Sequence, residues 1–288
     1  MYSLYRKTNL MYVPALILFA VFVIYPFFDG IRIAFTNWNG FSQHFDYVGI
    51  ANFQRLISDP NVRTALFNTL LYGIGSTFFQ QLLGLGYALL LNQPFKGRIA
   101  GRTIVFMPVF ISAVIMGYMW YFLLQYDGAL NDVIVLFGGK KMLWLSDAGT
   151  ARTVIVAVNT LQYVGYSMII YLAGLQNIPA QYIEAAHLDG AGTWRRFFSV
   201  TLPLLYPAVI TSVTLNLIGG LKLFDVIRAL TGGGPGYTTH SLATLLNATY
   251  FGSQNAGYAA VIGMLLFCTI LLFTIATNLV SKKREIQF

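Results

Sequence analysis

Residues 258–280 read YAAVIGMLLFCTILLFTIATNLV and contain no charged side chain. A helix needs about 20 consecutive, mostly apolar residues to cross the hydrocarbon core of a bilayer. This stretch meets that requirement in length and in composition. It therefore predicts a transmembrane helix, and the rest of the chain repeats the pattern.

The composition of the whole chain predicts an all-α membrane protein. Of its 288 residues, 57% are hydrophobic and only 10% are charged, whereas soluble domains carry about 25% charged residues. The formal net charge of +8 does not indicate nucleic-acid binding, because the basic residues are scattered between apolar runs and form no stripe with aromatic residues. The single cysteine, Cys268, excludes an internal disulfide.

Five further apolar runs approach the same length, so we predict about six spans in a single domain that covers residues 1–288. The predicted spans are 10–28, 68–91, 103–124, 153–175, 205–227 and 258–280. The first span is long for the core of a signal peptide and has no small-residue cleavage site soon after it, so we expect it to be retained.

The placement of lysine and arginine predicts the orientation, because basic residues concentrate on the cytoplasmic side. Six spans put both termini on one side, and that side is the more basic. Its basic residues are Arg6, Lys7, Lys96, Arg98, Arg102, Arg195, Arg196, Lys282, Lys283 and Arg284. We therefore expect both termini and residues 176–204 in the cytoplasm, and residues 125–152 outside.

The connection over 176–204 has a pattern of its own. Pro179 opens a short helical run, QYIEAAHLD, which Gly190 ends. A second helical run, TWRRFFSVTL, stops at Pro203. Two short helices between two spans predict a protruding knob, which has little to pack against except its own spans or a partner.

On chemistry alone this knob is either a solvated connection or a docking element. In the second case, Ala185 and Ala186 form a low surface that permits close approach, while Glu184 and Asp189 supply charge at the rim.

The spacing in this connection resembles the EAA loop of ABC importer permeases. The matching residues are Glu184, Ala185, Ala186, Gly190, Val200, Leu202 and Pro203. In that family the loop docks into a cleft on a cytoplasmic ATPase subunit and passes its motion to the membrane helices. The resemblance implies an ATPase-coupling role for Glu184, Ala185, Ala186, Asp189, Gly190 and Pro203. We call residues 176–204 the EAA segment.

Other stretches resemble sugar permeases of the maltose-importer kind. They are VPALILFAVFVIYPFFDGIRIAFTNWN at 13–39, WLSD at 144–147 and LTGGGPGYTTHSLATLLNATY at 230–250. The chain resembles the shorter members of that family, which import varied oligosaccharides or glycerol phosphates. The resemblance implies transport without naming the sugar.

Polar residues and glycines fall at helical spacing in two spans, and polar side chains inside a span usually face a bundle interior. They are Asn159, Gln162, Tyr163 and Tyr166 in the fourth span, and Asn216, Gly219, Gly220 and Leu223 in the fifth. Amides bind hydroxyls in either sense, and aromatic rings stack on the apolar face of a sugar. The alternative is that these residues only pack helices together.

The family resemblance favours a substrate pathway. In maltose-type permeases the positions that contact the sugar match Gln162, Tyr163, Tyr166, Asn216, Gly219, Gly220 and Leu223. Several of these side chains differ in type from those of the family, which implies a different sugar.

Three charged residues, Lys222, Asp225 and Arg228, lie three apart near the outer end of the fifth span. Neighbouring members have the spacing of an ion pair on a helix. They either snorkel at the membrane interface or form a rim where an external binding protein docks.

The sequence has no signature of a catalytic site. The turn TGGGPG at 231–236 lacks the GK[ST] ending of a phosphate-binding loop, and His44, His187 and His240 lack metal-ligand spacing. The resemblance therefore implies a non-catalytic subunit. Its partners would be two ATPase subunits that carry ATP and Mg²⁺, a second permease subunit and an extracytoplasmic solute-binding protein. A membrane enzyme and a receptor are the alternatives, and neither should co-purify with an ATPase.

Overall fold

The computed structural model describes residues 12–282, and that part of the chain is almost entirely helical. In chain order the helices are α1 (Val13–Ala34), α2 (Ala51–Ser58), α3 (Pro60–Asn92), α4 (Arg98–Phe106), α5 (Ala113–Leu123), α6 (Ala129–Leu136), α7 (Ala148–Gln176), α8 (Ala180–Leu188), α9 (Thr193–Leu204), α10 (Tyr206–Leu221), α11 (Asp225–Leu230), α12 (Leu242–Asn247) and α13 (Ala256–Lys282). The predicted start of the first span at Leu10, and the basic residues Arg6, Lys7, Lys283 and Arg284, lie outside the described residues.

Within residues 12–282, the helices α1, α3, α7 and α13 are each long and apolar enough to cross a membrane. Two bent pairs raise the number to six if each pair is one span: α4 with α5, and α9 with α10. The predicted all-α membrane architecture is confirmed.

The predicted third span, 103–124, is a broken helix. A 3-10 turn at Met107–Phe110 follows α4, and α5 then leaves at an angle of 100°. Pro108 has no N–H to continue the helical hydrogen bonds, and Ile111 adopts an extended conformation with φ −78° and ψ 132°. The break frees the carbonyl of Ile111 for a side-chain partner.

The predicted fifth span, 205–227, also divides. Helix α10 ends at Leu221 after two glycines, which are poor helix formers, and α11 begins at Asp225. Ser241 Oγ donates to the carbonyl of Leu223 in the turn between them, at 2.8 Å. At its other end α10 meets α9 at 66°, next to Pro207.

The helices fall into two compact units. The first contains residues up to Val62 together with Leu245–Leu266. Within it, Asn52 Nδ2 donates to the carbonyls of Ala34 and Thr36, at 2.9 and 2.8 Å, and holds the turn after α1.

Within the described residues, the second unit contains Arg63–Thr244 and residues 267–282, and α7 is its central element. Ile155 and Met168, both fully buried, place this one helix in two separate hydrophobic clusters. Asp147 fixes the start of α7, because its carboxylate accepts hydrogen bonds from the backbone N–H groups of Gly149 and Thr150. These hydrogen bonds lower the pKa of Asp147 below its ordinary value, and the bond from Thr150 has the larger effect.

Candidate functional site

A cavity of about 510 Å³ opens between α7, α10 and the turn that follows α10. Its volume is in the range of small-ligand sites, roughly 300–1,000 Å³. Of the residues predicted for the substrate pathway, the lining contains Tyr163, Tyr166, Asn216, Gly219, Gly220 and Leu223. Tyr163, Tyr166, Asn216, Gly219 and Gly220 reach the cavity from their two helices, and Leu223 reaches it from the turn after α10.

One wall of the cavity is aromatic. The rings of Tyr163 and Tyr166 stack with centroids 6.1 Å apart and an interplanar angle of 6°. Phe106 meets Tyr166 edge-on at 6.0 Å, while Tyr166 remains 44% exposed. The ring faces are thus held in place beside open space.

The amides of the cavity also join helices. Asn216 Nδ2 donates to Ser167 Oγ at 2.6 Å and so links α10 to α7. Asn159 Nδ2 donates to Ser76 Oγ at 2.8 Å and links α7 to α3. Each of these two amides therefore lines the cavity and also joins two helices.

Gln162 does not line the cavity, although the resemblance placed it in the pathway. Its side chain is buried, and Nε2 donates to the carbonyl of Ile111 at 3.1 Å. That carbonyl is free because the third span breaks there, and Gln162 replaces the missing helical hydrogen bond.

The two glycines of α10 have different surroundings. A Cβ built on Gly219 meets no atom within 4 Å, so this glycine leaves the cavity open. A Cβ on Gly220 lies 2.9 Å from the Cα of Gly73, so Gly220 permits the close approach of α10 to α3.

Lys222 and Asp225 line the cavity, and Arg228 does not. The ion pairs that the sequence spacing allowed do not form, since no ion pair within residues 12–282 includes Lys222, Asp225 or Arg228. The turn between α10 and α11 removes the helical spacing of Lys222 and Asp225, whereas Asp225 and Arg228 keep that spacing within α11 and still do not pair.

Sequence reasoning missed Gln80, from α3, which also lines the cavity. The signal was available, because an amide inside an apolar span is costly unless it faces a cavity or a partner. Gln80 Nε2 donates to the carbonyl of Asn159 at 3.0 Å.

The EAA segment forms the predicted pair of short helices, α8 and α9. Gly190 has φ +74° and ends α8, and its N–H donates to the carbonyl of His187 at 3.0 Å. Gly192 has an ordinary φ of −64° and precedes α9. Helix α9 continues past the predicted end at Pro203 to Leu204, through a π-helical turn at Phe197–Thr201.

The surface of the EAA segment differs from the prediction at Ala186. This residue is buried at 8% exposure, so only Ala185 offers the low surface expected of both. Glu184, His187, Leu188, Arg196 and Ile183 line a groove of about 500 Å³. Large apolar side chains remain exposed around the groove, with Leu188 at 87% and Trp194 at 76%.

The backbone that follows the glycine-rich turn is anchored by side chains from α3 and α7. Asn68 Nδ2 donates to the carbonyls of Thr238 and His240, and Arg152 donates twice to that of Thr238. Burial, and then the charge of Arg228, lower the pKa of His240. Among the described residues, no group of three or more His, Cys, Asp or Glu side chains is placed to hold a metal ion.

Comparisons with known proteins agree with this architecture. The multiple sugar-binding transport system permease protein of Streptococcus mutans is 36% identical over 275 residues, which are 94% of this chain and 93% of that protein. The trehalose/maltose transport system permease protein of Thermococcus litoralis is 34% identical, with coverage of 98% and 96%. The crystal structure of a bacterial ABC transporter that imports the acidic polysaccharide alginate contains a chain of the same fold, with a TM-score of 0.84, 24% identity and 99% coverage of both chains.

The family match covers most of the chain, including α7, the cavity and the EAA segment. Residues 80–285 match the family described as binding-protein-dependent transport system inner membrane component. Members are non-catalytic membrane subunits of ABC transporters, which agrees with the membrane helices found here. This chain belongs to the family of binding-protein-dependent transport system inner membrane components.

Proposed function

We propose that this chain is a permease subunit of an ATP-driven importer of sugars or oligosaccharides, and that it forms half of the translocation pathway. The observation that carries the proposal is the cavity, in which a stacked tyrosine pair lies beside the amides of Asn159 and Asn216. Aromatic faces and amides are the groups that bind a hydroxylated ring. The similar proteins of Streptococcus mutans and Thermococcus litoralis, a multiple-sugar and a trehalose/maltose transport permease, support the same substrate class.

The EAA segment is the proposed contact with a cytoplasmic ATPase. Its groove contains Glu184. The exposed apolar side chains of Leu188 and Trp194 would be buried by contact with a partner protein. The residues proposed to couple are Glu184, Ala185, Asp189, Gly190 and Pro203, together with Ala186, which is buried on the inner face of α8. Both termini lie in the cytoplasm in this proposal, as the basic residues predict.

The complete importer contains this chain, a second permease subunit, two ATPase subunits and an external solute-binding protein. ATP and Mg²⁺ bind to the ATPase subunits. Rocking of the two permease halves would expose the cavity to each side of the membrane in turn.

The test is reconstitution of the complete importer in proteoliposomes. We expect uptake of a radiolabelled sugar that requires both internal ATP and the sugar-loaded binding protein. The chain should also co-purify with an ATPase and a second permease. Uptake that continues without ATP, or a chain that purifies alone, would contradict the proposal.

A further inference from the structure

Two side chains of opposite charge share the cavity wall without an ionic partner. Lys222 and Asp225 both line the cavity and are exposed. Within residues 12–282 neither side chain makes an ion pair within 4.0 Å or a hydrogen bond. Ionisable residues near the interior of a membrane bundle are expensive, so they usually mark a pathway for a polar substrate.

The break in the fifth span directs both residues to the cavity. Lys222 follows the last residue of α10, and Asp225 is the first residue of α11. Leu223 and Phe224, in the turn between them, line the same cavity. An unbroken helix would have placed Lys222 and Asp225 one above the other, where they could have neutralised each other.

Helix capping does not account for these charges. A lysine at a helix C-terminus and an aspartate at an N-terminus have the favourable sign. However, the start of α11 has no hydrogen bond from a capping side chain, and α11 has only six residues. The cavity is the feature that both charged groups share.

We infer that Lys222 and Asp225 are specificity-determining residues of the cavity and that its ligand is a neutral sugar. The inference rests on the proposed function. A sugar hydroxyl donates to the carboxylate of Asp225, and the ammonium group of Lys222 donates to a hydroxyl oxygen, which are charge-assisted hydrogen bonds. Since the two charges cancel, the wall offers no net attraction to offset the desolvation of an anionic sugar.

Arg228 provides a matched control. It is exposed, lies three residues beyond Asp225 and has no ion pair among the described residues, but it does not line the cavity. If all three charged residues formed a rim for the binding protein, removal of each charge should weaken docking. If Lys222 and Asp225 bind sugar, only their removal should slow transport.

The experiment compares Lys222→Met, Asp225→Asn and Arg228→Met in the complete importer in proteoliposomes. The probes are maltose, trehalose and lactose, which are neutral, and an alginate trisaccharide, which is acidic. We expect the wild type to take up at least one neutral sugar and not the acid. Lys222→Met and Asp225→Asn should each lower the uptake rate at saturating binding protein about tenfold, the effect of losing one charge-assisted hydrogen bond. Arg228→Met should transport as the wild type does.

Assembly with the second permease and the affinity for the binding protein, measured on the same samples, should remain at wild-type values. If assembly or the affinity for the binding protein falls in proportion to uptake, the two residues act at an interface and the inference is overturned. It is also overturned if Lys222→Met and Asp225→Asn transport normally, or if the wild type accepts the acid and no neutral sugar. A wild-type importer that moves none of these saccharides would instead overturn the proposed function, and the inference with it.

Discussion

The cavity is the proposed sugar site and the EAA segment is the proposed ATPase contact. The two regions differ in how far their key side chains are buried. The cavity amides Asn159 and Asn216 are almost completely buried and are hydrogen-bonded to neighbouring helices. The EAA segment instead leaves Leu188, Trp194 and Phe198 between 59% and 87% exposed. A change at these two amides should therefore affect packing and transport together, whereas a change on the EAA surface should affect coupling and leave the fold intact.

The largest effect is expected from Gly190→Val. Gly190 has φ +74°, where a β-branched residue is strained by roughly 1–2 kcal/mol or more. A Cβ there meets nothing within 4 Å, so the change alters the path of the backbone after α8 and does not obstruct it. We expect uptake and stimulated ATP hydrolysis to fall at least about tenfold, measured on the reconstituted importer.

Gly192→Val is the control, because Gly192 has φ −64° and also meets nothing within 4 Å of its Cβ. It should retain most of the activity. Equal loss in both variants would mean that size at this turn matters and that the left-handed conformation does not.

Glu184→Lys should have the next largest effect. Glu184 is exposed in a groove that also contains His187 and Arg196, so reversal leaves that groove with no acid. A partner surface matched to the native charges would then meet repulsion. We expect less ATPase to co-purify while the thermal stability of the permease is unchanged, because no ion pair of the described residues includes Glu184. Glu184→Gln should be intermediate, and normal co-purification of Glu184→Lys would leave the EAA segment a simple connection.

Asn216→Ala should moderately lower both the stability of the permease and its rate of uptake. The variant loses the hydrogen bond to Ser167 and an amide that lines the cavity. Loss of one hydrogen bond costs about 1 kcal/mol, so we expect a lower melting temperature and uptake reduced several-fold.

Ser167→Ala isolates the packing contribution, because Ser167 is buried, accepts the same hydrogen bond and does not line the cavity. It should lower the melting temperature without slowing uptake by assembled complexes. If both variants lose uptake in proportion to stability, Asn216 packs helices and does not bind sugar.

The sequence predicted the membrane architecture well, because a run of about 20 mostly apolar residues is what a helix needs to cross the lipid bilayer. The breaks in the third and fifth spans were not predictable in the same way, since both segments are mostly apolar and only the outer end of the fifth carries charges, at Lys222 and Asp225. Pro108 was a visible signal for the first break. For the second break, Gly219 and Gly220 were a visible signal, whereas the hydrogen bond from Ser241 to the carbonyl of Leu223, 18 residues away in sequence, was not.

The site was predicted to the level of helix faces and no further. Spacing grouped Gly219 with Gly220, but only the neighbouring helix decides that one opens the cavity and the other packs against Gly73. Gln162 was misplaced for a similar reason, because its partner is a carbonyl exposed by the break in another span. The structural role of each residue depended on a contact distant in sequence.

The smallest functional effect, and the sharpest test of orientation, comes from single cysteines in a Cys268→Ala background. The EAA segment can meet an ATPase only if it is cytoplasmic. We therefore expect Gly192→Cys to be shielded from an impermeant thiol reagent in intact cells and labelled after permeabilisation. On the predicted external connection, Phe137 is the suitable position, because it is 88% exposed. Asn131, in the same connection, is unsuitable for labelling because it is fully buried and its Nδ2 donates to the carbonyls of Gln125, Tyr126 and Met142. Phe137→Cys should react in intact cells and transport normally. External labelling of Gly192→Cys would exclude the EAA segment as an ATPase contact, whatever the outcome for the cavity.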